Sequence, residues 1–121
     1  MLSTMMIFHI TKRIEWEEAV RAGEYRAASL NDQGFIHCST PEQVVRVANF
    51  LFAGQCGLVL LCIDVEKLEA KVEYENCEGG IDLFPHVYGI INMEAVVDVV
   101  DFNPDQDGCF QLPSEIRRRL S

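Results

Sequence analysis

Leu58-Val59-Leu60-Leu61-Cys62-Ile63 is an unbroken apolar run of strand length. Such a segment has no polar side to turn toward water, so it predicts a central strand covered on both faces, with the other elements laid around it. Asp64 is placed to cap a short turn through Leu68, after which Lys71 to Glu75 alternates polar and apolar residues like an edge or half-exposed strand. Upstream, Met6 to Ile10 predicts the first strand. Met6, Phe8 and Ile10 form one apolar face, while Ile7, His9 and Thr11 share the other. Thr11 is also placed to cap a helix running to about Ala22, in which Trp16, Ala19, Val20 and Gly23 follow helical spacing and Gly23 ends it.

The rest of the chain follows the same alternation. Tyr25 to Leu30 reads as a bent connector or short strand and Asn31-Asp32-Gln33-Gly34 as a turn. A second helix is predicted from Pro41 to Ala53, with Val44, Val47, Ala48 and Leu51 on one face and Gly54 closing it. In Leu83-Phe84-Pro85-His86-Val87-Tyr88-Gly89 the proline argues for an edge or a turn, since it donates nothing to a ladder. Ala95 to Phe102 is a valine-rich strand, and Leu112-Pro113-Ser114 opens a last helical turn ending in Arg117-Arg118-Arg119, read as a solvated helix end. No linker, repeat or low-complexity run divides the 121 residues. The expectation is one α+β domain, loose over residues 1–4 and at the C-terminal end.

Charge narrows the partners. Ten Lys+Arg against 19 Asp+Glu give a formal net charge of -9, so most of the surface repels a nucleic-acid duplex or an anionic membrane. No apolar run approaches the roughly 20 residues of a membrane helix, and the first residues lack a signal-peptide pattern. The sequence therefore predicts a cytosolic (cytoplasmic) protein. Its five cysteines, Cys38, Cys56, Cys62, Cys77 and Cys109, show no CxxC spacing and read as reduced thiols, mostly in the core.

The stretch Gly34 to Gln43 carries the strongest chemical signal. Phe35 to Cys38 predicts a short buried strand, and Thr40-Pro41-Glu42-Gln43 a helix start with a capping box. His37 then shares a face with Phe35, beside free helix-start N–H groups that suit phosphate or carboxylate, while Cys38 turns away. All three histidines, His9, His37 and His86, fall beside apolar strand-like segments, which predicts a shared cleft.

Together, Ile7-Phe8-His9-Ile10-Thr11, Trp16, Gly23-Glu24-Tyr25, Gly34-Phe35-Ile36-His37-Cys38-Ser39, Pro41-Glu42-Gln43 and Phe84-Pro85-His86-Val87-Tyr88-Gly89 resemble the domain of unknown function 952 family (DUF952) over about residues 6–112. The resemblance implies a fold similar to the ADP-ribosyltransferases, in which two small sheets enclose a dinucleotide cleft. More distantly, the chain resembles the NAD-dependent RNA 2'-phosphotransferases. On that likeness His9-Ile10-Thr11 corresponds to a first-strand His-Gly-Thr that holds NAD, and His37-Cys38-Ser39 to a His-Leu-Ser. Ile10 stands where that motif has glycine, and no arginine precedes the second histidine strand. Glu73, Glu75, Glu78 and Glu94 are the candidates for the glutamate of a transferase triad.

The resemblance implies NAD as cofactor, with no metal, and a nucleotide or other small metabolite as partner. His9, His37 and His86 are the candidate catalytic residues; Thr11, Ser39, Thr40 and Tyr88 are the candidates for cofactor binding. In ADP-ribosyl transfer these groups orient the glycosidic bond and stabilise developing charge. The alternative is a non-catalytic module that binds a small metabolite or a basic partner protein through structural histidines. A metal site of the three histidines has the ligand count but no close spacing such as HExxH. A Cys38 nucleophile activated by His37 meets the objection that strand neighbours face opposite sides.

Overall fold

The computed structural model describes residues 5–76 and 80–120. Cys77 and Glu78, named above, lie outside the described residues. In chain order the elements are β1 (Met6–Lys12), α1 (Arg13–Ala22), β2 (Glu24–Tyr25), α2 (Ala28–Gln33), β3 (Ile36–His37), α3 (Val44–Leu51), β4 (Leu58–Asp64), β5 (Lys71–Glu75), β6 (Phe84–Tyr88), β7 (Ile91–Asn92), β8 (Val96–Phe102) and α4 (Ser114–Leu120). Short 3-10 turns at Val65–Lys67 and Met93–Ala95 precede β5 and β8. The fold is α+β, with small antiparallel sheets ordered β1-β4-β8, β2-β7 and β3-β6-β5.

The apolar run is the central strand, as expected: every residue of β4 is buried. Its alternate side chains feed two cores. Leu58, Leu60 and Cys62 join Met6, Phe8, Val44, Phe102, Phe110 and Ile116 on one face, and Val59, Leu61 and Ile63 join Ile7, Tyr25, Ile36, Val87 and Ile91 on the other. Asp64 caps the following turn by accepting from the Glu66 N–H at 2.9 Å. The two three-stranded sheets meet at a seam, where Phe8 and Ser39 exchange backbone hydrogen bonds of 2.8 Å on the side of β1 away from β4.

Several local expectations are corrected. Thr11 does not start α1, because β1 keeps a pairing partner in β4 as far as Lys12 opposite Leu58. Asn31 to Gln33 is the last turn of α2, and Gly34 terminates it at φ 89°, a left-handed conformation that glycine adopts without strain. Regular helix in α3 begins at Val44, since the N–H groups of Gln43 and Val44 both converge on the Thr40 carbonyl, at 3.0 and 3.1 Å. The reciprocal bond of the capping box does form, with the Gln43 Oε1 accepting from the Thr40 N–H at 3.0 Å.

Leu51 points outward, 63% exposed, although Val44 and Ala48 of the same helix are fully buried. Pro85 sits in a central strand, not at an edge. A strand residue points its N–H and C=O to the same side, and for Pro85 that side faces chain beyond the end of β3, where only its carbonyl is used, accepting from the Cys38 N–H at 3.0 Å. Cys38 and Cys62 are buried thiols, whereas Cys56 and Cys109 are exposed, contrary to a core role. Among the described residues no helix is long and apolar enough to cross a membrane.

Candidate functional site

β3 and β6 run antiparallel with His37 opposite His86, so two histidines form one cross-strand pair. Their rings lie 5.2 Å apart at 77°. Phe35, just before β3, stacks on His86 at 4.1 Å and 17° and meets His37 edge-on at 4.9 Å. On the far side β5 lies against β6 and delivers Glu75. The His86 Nδ1–H donates to the Glu75 carboxylate at 2.9 Å, and the Tyr88 hydroxyl donates to the same oxygen at 2.5 Å. These two bonds, Tyr88 first, hold the Glu75 carboxyl below its ordinary range. Glu75, one candidate among several in the sequence, is therefore the carboxylate that orients His86.

A cleft of about 810 Å³ opens between α3 and the seam. His9, His37, Ser39 and His86 line it, so the structure brings the three histidines together. Phe8, Ile10, Val47, Phe50, Phe52 and Phe84 make most of its wall apolar. Arg46, on the exposed side of α3, is the one charged side chain among the described lining residues and bonds Asp82 at 2.5 Å. Arg46 and Phe50, which is 85% exposed, escaped the sequence reading. Their signal was present in the helical periodicity: both fall off the Val44-Ala48 core face, which leaves them free to point into a groove.

The histidines are held differently. A carbonyl only accepts, so His9 carries its proton on Nδ1 and donates to the His37 carbonyl at 2.6 Å. Its Nε2 faces the Tyr25 hydroxyl at 2.8 Å. Both ring nitrogens are thus engaged within the protein. Burial lowers its pKa to about 4, overcoming the opposing effect of the bond to His37. The His37 ring is exposed, and its Nε2–H donates to Gln33 Oε1 at 2.5 Å.

Thr11, Thr40 and Tyr88 do not line the cleft. Thr11 is buried behind His9, accepting from Tyr25 at 3.0 Å and donating to Glu15 at 2.9 Å. Thr40 borders a separate depression of about 370 Å³ with Pro41, Glu42 and Tyr74. Tyr88 is spent on Glu75, its ring 5.3 Å from Phe35. Burial pushes the Cys38 thiol far above its ordinary range, which suppresses the thiolate a nucleophile needs. Among the described residues no group of three or more His, Cys, Asp or Glu is arranged to hold a metal ion.

Comparison with known proteins gives a consistent answer. The model of a family described as a protein of unknown function, DUF952, matches residues 10–99. A crystal structure of protein CC0527 from Caulobacter crescentus is similar at 34% identity and TM-score 0.82, covering 93% of this chain and 98% of that one. The solution NMR structure of CC0527 is 35% identical at TM-score 0.79, covering 91% and 95%. No curated protein matches.

Proposed function

The chain belongs to the DUF952 family, whose description states no activity, and from the geometry of the cleft we propose that it binds NAD or a related nucleotide in the manner of ADP-ribosyltransferase-like proteins. The observation that carries this reading is the His37–His86 pair on one wall of an apolar cleft whose lining cation is Arg46. Its volume, about 810 Å³, falls within the roughly 300–1,000 Å³ of small-molecule sites. An aromatic wall suits a base or nicotinamide ring, and Arg46, hinged on an exposed side chain, suits a phosphate. The family resemblance implies two small sheets enclosing a cleft; here two three-stranded sheets meet at a seam and the cleft lies between that seam and α3.

His37 supplies the exposed polar contact, and His86 is the ring held in place for the ligand by Glu75 and Phe35. His9 acts as a strut, since its nitrogens are committed. A second reading, ligand binding without turnover, is favoured by the lining itself: among the described lining residues there is no carboxylate to steady an oxocarbenium-like ribose.

Calorimetric titration with NAD, ADP-ribose and nicotinamide tests both, with products followed by mass spectrometry. Binding of NAD or ADP-ribose that weakens about tenfold in His37→Ala and in Arg46→Gln supports the cleft. Nicotinamide release marks an enzyme, and intact NAD after prolonged incubation marks a binder. Folded wild-type protein that binds none of the three overturns the nucleotide reading.

A further inference from the structure

Behind His9 a line of hydrogen bonds crosses the wall of the cleft. It runs from the His37 carbonyl through His9, the Tyr25 hydroxyl and the Thr11 hydroxyl to the Glu15 carboxylate, at 2.6, 2.8, 3.0 and 2.9 Å. Tyr25 and Thr11 are buried, at 3% and 4% exposure, while Glu15 lies on the exposed face of α1. The line therefore joins outside solvent to a residue of the cleft without passing through the mouth.

Counting protons shows what such a line does. There are four contacts, and its two end acceptors, a carbonyl and a carboxylate, supply no proton. With His9 neutral and Glu15 ionised, the imidazole, the tyrosine and the threonine bring one proton each, so one contact always lacks its hydrogen. One added proton fills all four. It can rest at either end: on His9 Nε2, with Tyr25 donating to Thr11 and Thr11 to Glu15, or on Glu15, with these three bonds reversed and the His9 Nδ1–H still donating to the His37 carbonyl. The two forms interconvert by breaking the Glu15 O–H as the Thr11 O–H forms, passing the Thr11 proton to Tyr25 and the Tyr25 proton to His9; no electrons are transferred. Burial keeps the Tyr25 hydroxyl protonated, raising its pKa to about 12.

We propose that His9, Tyr25, Thr11 and Glu15 form a proton relay that takes up one proton as a unit and passes it between the outer face of α1 and the cleft wall. Tyr25, Thr11 and Glu15 are positioning residues that set the protonation of His9. The other titratable groups facing the relay are His37 of the adjoining strand and Cys38, whose buried thiol stays neutral. The proposal concerns the ligand-free protein and stands whether or not the cleft binds NAD.

The test follows the His9 ring nitrogens by NMR across a pH series in wild type, Glu15→Gln, Thr11→Val and the Glu15→Gln/Thr11→Val double variant. The introduced amide both removes the charge and donates to Thr11, so Glu15→Gln should move the His9 midpoint by at least roughly 0.5 pH unit, a threefold change in proton affinity. A relay transmits this through the threonine hydroxyl, so the shift should vanish in the Thr11→Val background and return with Thr11→Ser. A charge acting through space would give the same shift with valine in place, and that result, or no shift in any variant, overturns the relay. Unchanged backbone spectra identify variants that have kept the fold.

Discussion

The sheet β1-β4-β8 and the sheet β3-β6-β5 hang from one seam yet are held by different forces. The first has strands of seven residues and a middle strand buried throughout. The second has a two-residue edge strand, β3, and is held on its outer side by rings and a carboxylate: Phe35 on His86, and His86 and Tyr88 on Glu75. Area burial is non-directional and tolerant of chemistry, whereas stacking and hydrogen bonds fix orientations. The first sheet is built to persist and the second to present side chains. Histidine illustrates the division, since His9 on β1 is consumed as a strut while His37 on β3 is left exposed.

The comparison breaks most directly at Leu60, fully buried at the middle of β4. Leu60→Ala should cost about 3 kcal/mol, from lost burial plus the cavity left behind, in urea unfolding. If the first sheet is the scaffold, hydrogen exchange should rise across both sheets together, because the second has no independent core to fall back on. Exchange confined to the first sheet would show the two to be separately stable.

The next effect is electrostatic. The folded pKa of His9, about 4, lies below the ordinary 6.5, so between these values the unfolded chain binds the proton more readily. Stability from keeping His9 neutral is complete above about pH 6.5 and is lost as pH falls toward 4, by about 2 kcal/mol after discounting for its partial exposure. Urea midpoints measured from pH 7 to pH 4 should fall accordingly, and in His9→Gln the same series should be flatter. Equal slopes in the two proteins would remove His9 from the seam's electrostatics.

The same division explains what could be read from the sequence. β4, the two faces of β1 and the Asp64 cap were legible because each rests on periodicity or on one local bond. The shared histidine cleft was legible because all three histidines sit on apolar strands that the topology brings together. The central place of Pro85 was not, because it depends on where the neighbouring strand ends. Nor were the partners of His9: nothing local tells that Tyr25, 16 residues away, puts its hydroxyl on that ring and that the chain continues to Glu15. Glu75 was named only as a candidate triad glutamate; its meeting with His86 and Tyr88 is a different role, fixed by the β5–β6 register and not legible in the sequence.

A smaller effect tests how α3 is fastened to the cleft. The buried Gln43 side chain accepts from the Thr40 N–H at 3.0 Å and donates to the Leu83 carbonyl at 2.8 Å, tying the start of the helix to the approach to β6. Gln43→Ala should cost about 1–2 kcal/mol, since both backbone partners lose their bonds. Faster amide exchange should appear at Thr40 and along β6. A loss confined to Thr40 would mean that the helix is held at the seam alone.

The smallest effect is also the most specific to the second sheet. Phe35 touches His86, His37 and Tyr88 through its ring, so Phe35→Leu preserves most of the apolar area but removes the stacked geometry. The expected stability loss is only about 0.5–1 kcal/mol. What should change visibly is the orientation of His86. The ring current of Phe35 falls across the His86 protons at 4.1 Å, so their NMR resonances should shift and broaden in the variant, with the first sheet's resonances unmoved. If the His86 signals instead stay sharp, the bond to Glu75 suffices to hold the ring. The carboxylate, and not the aromatic stack, would then be what lets so short a sheet present its histidines.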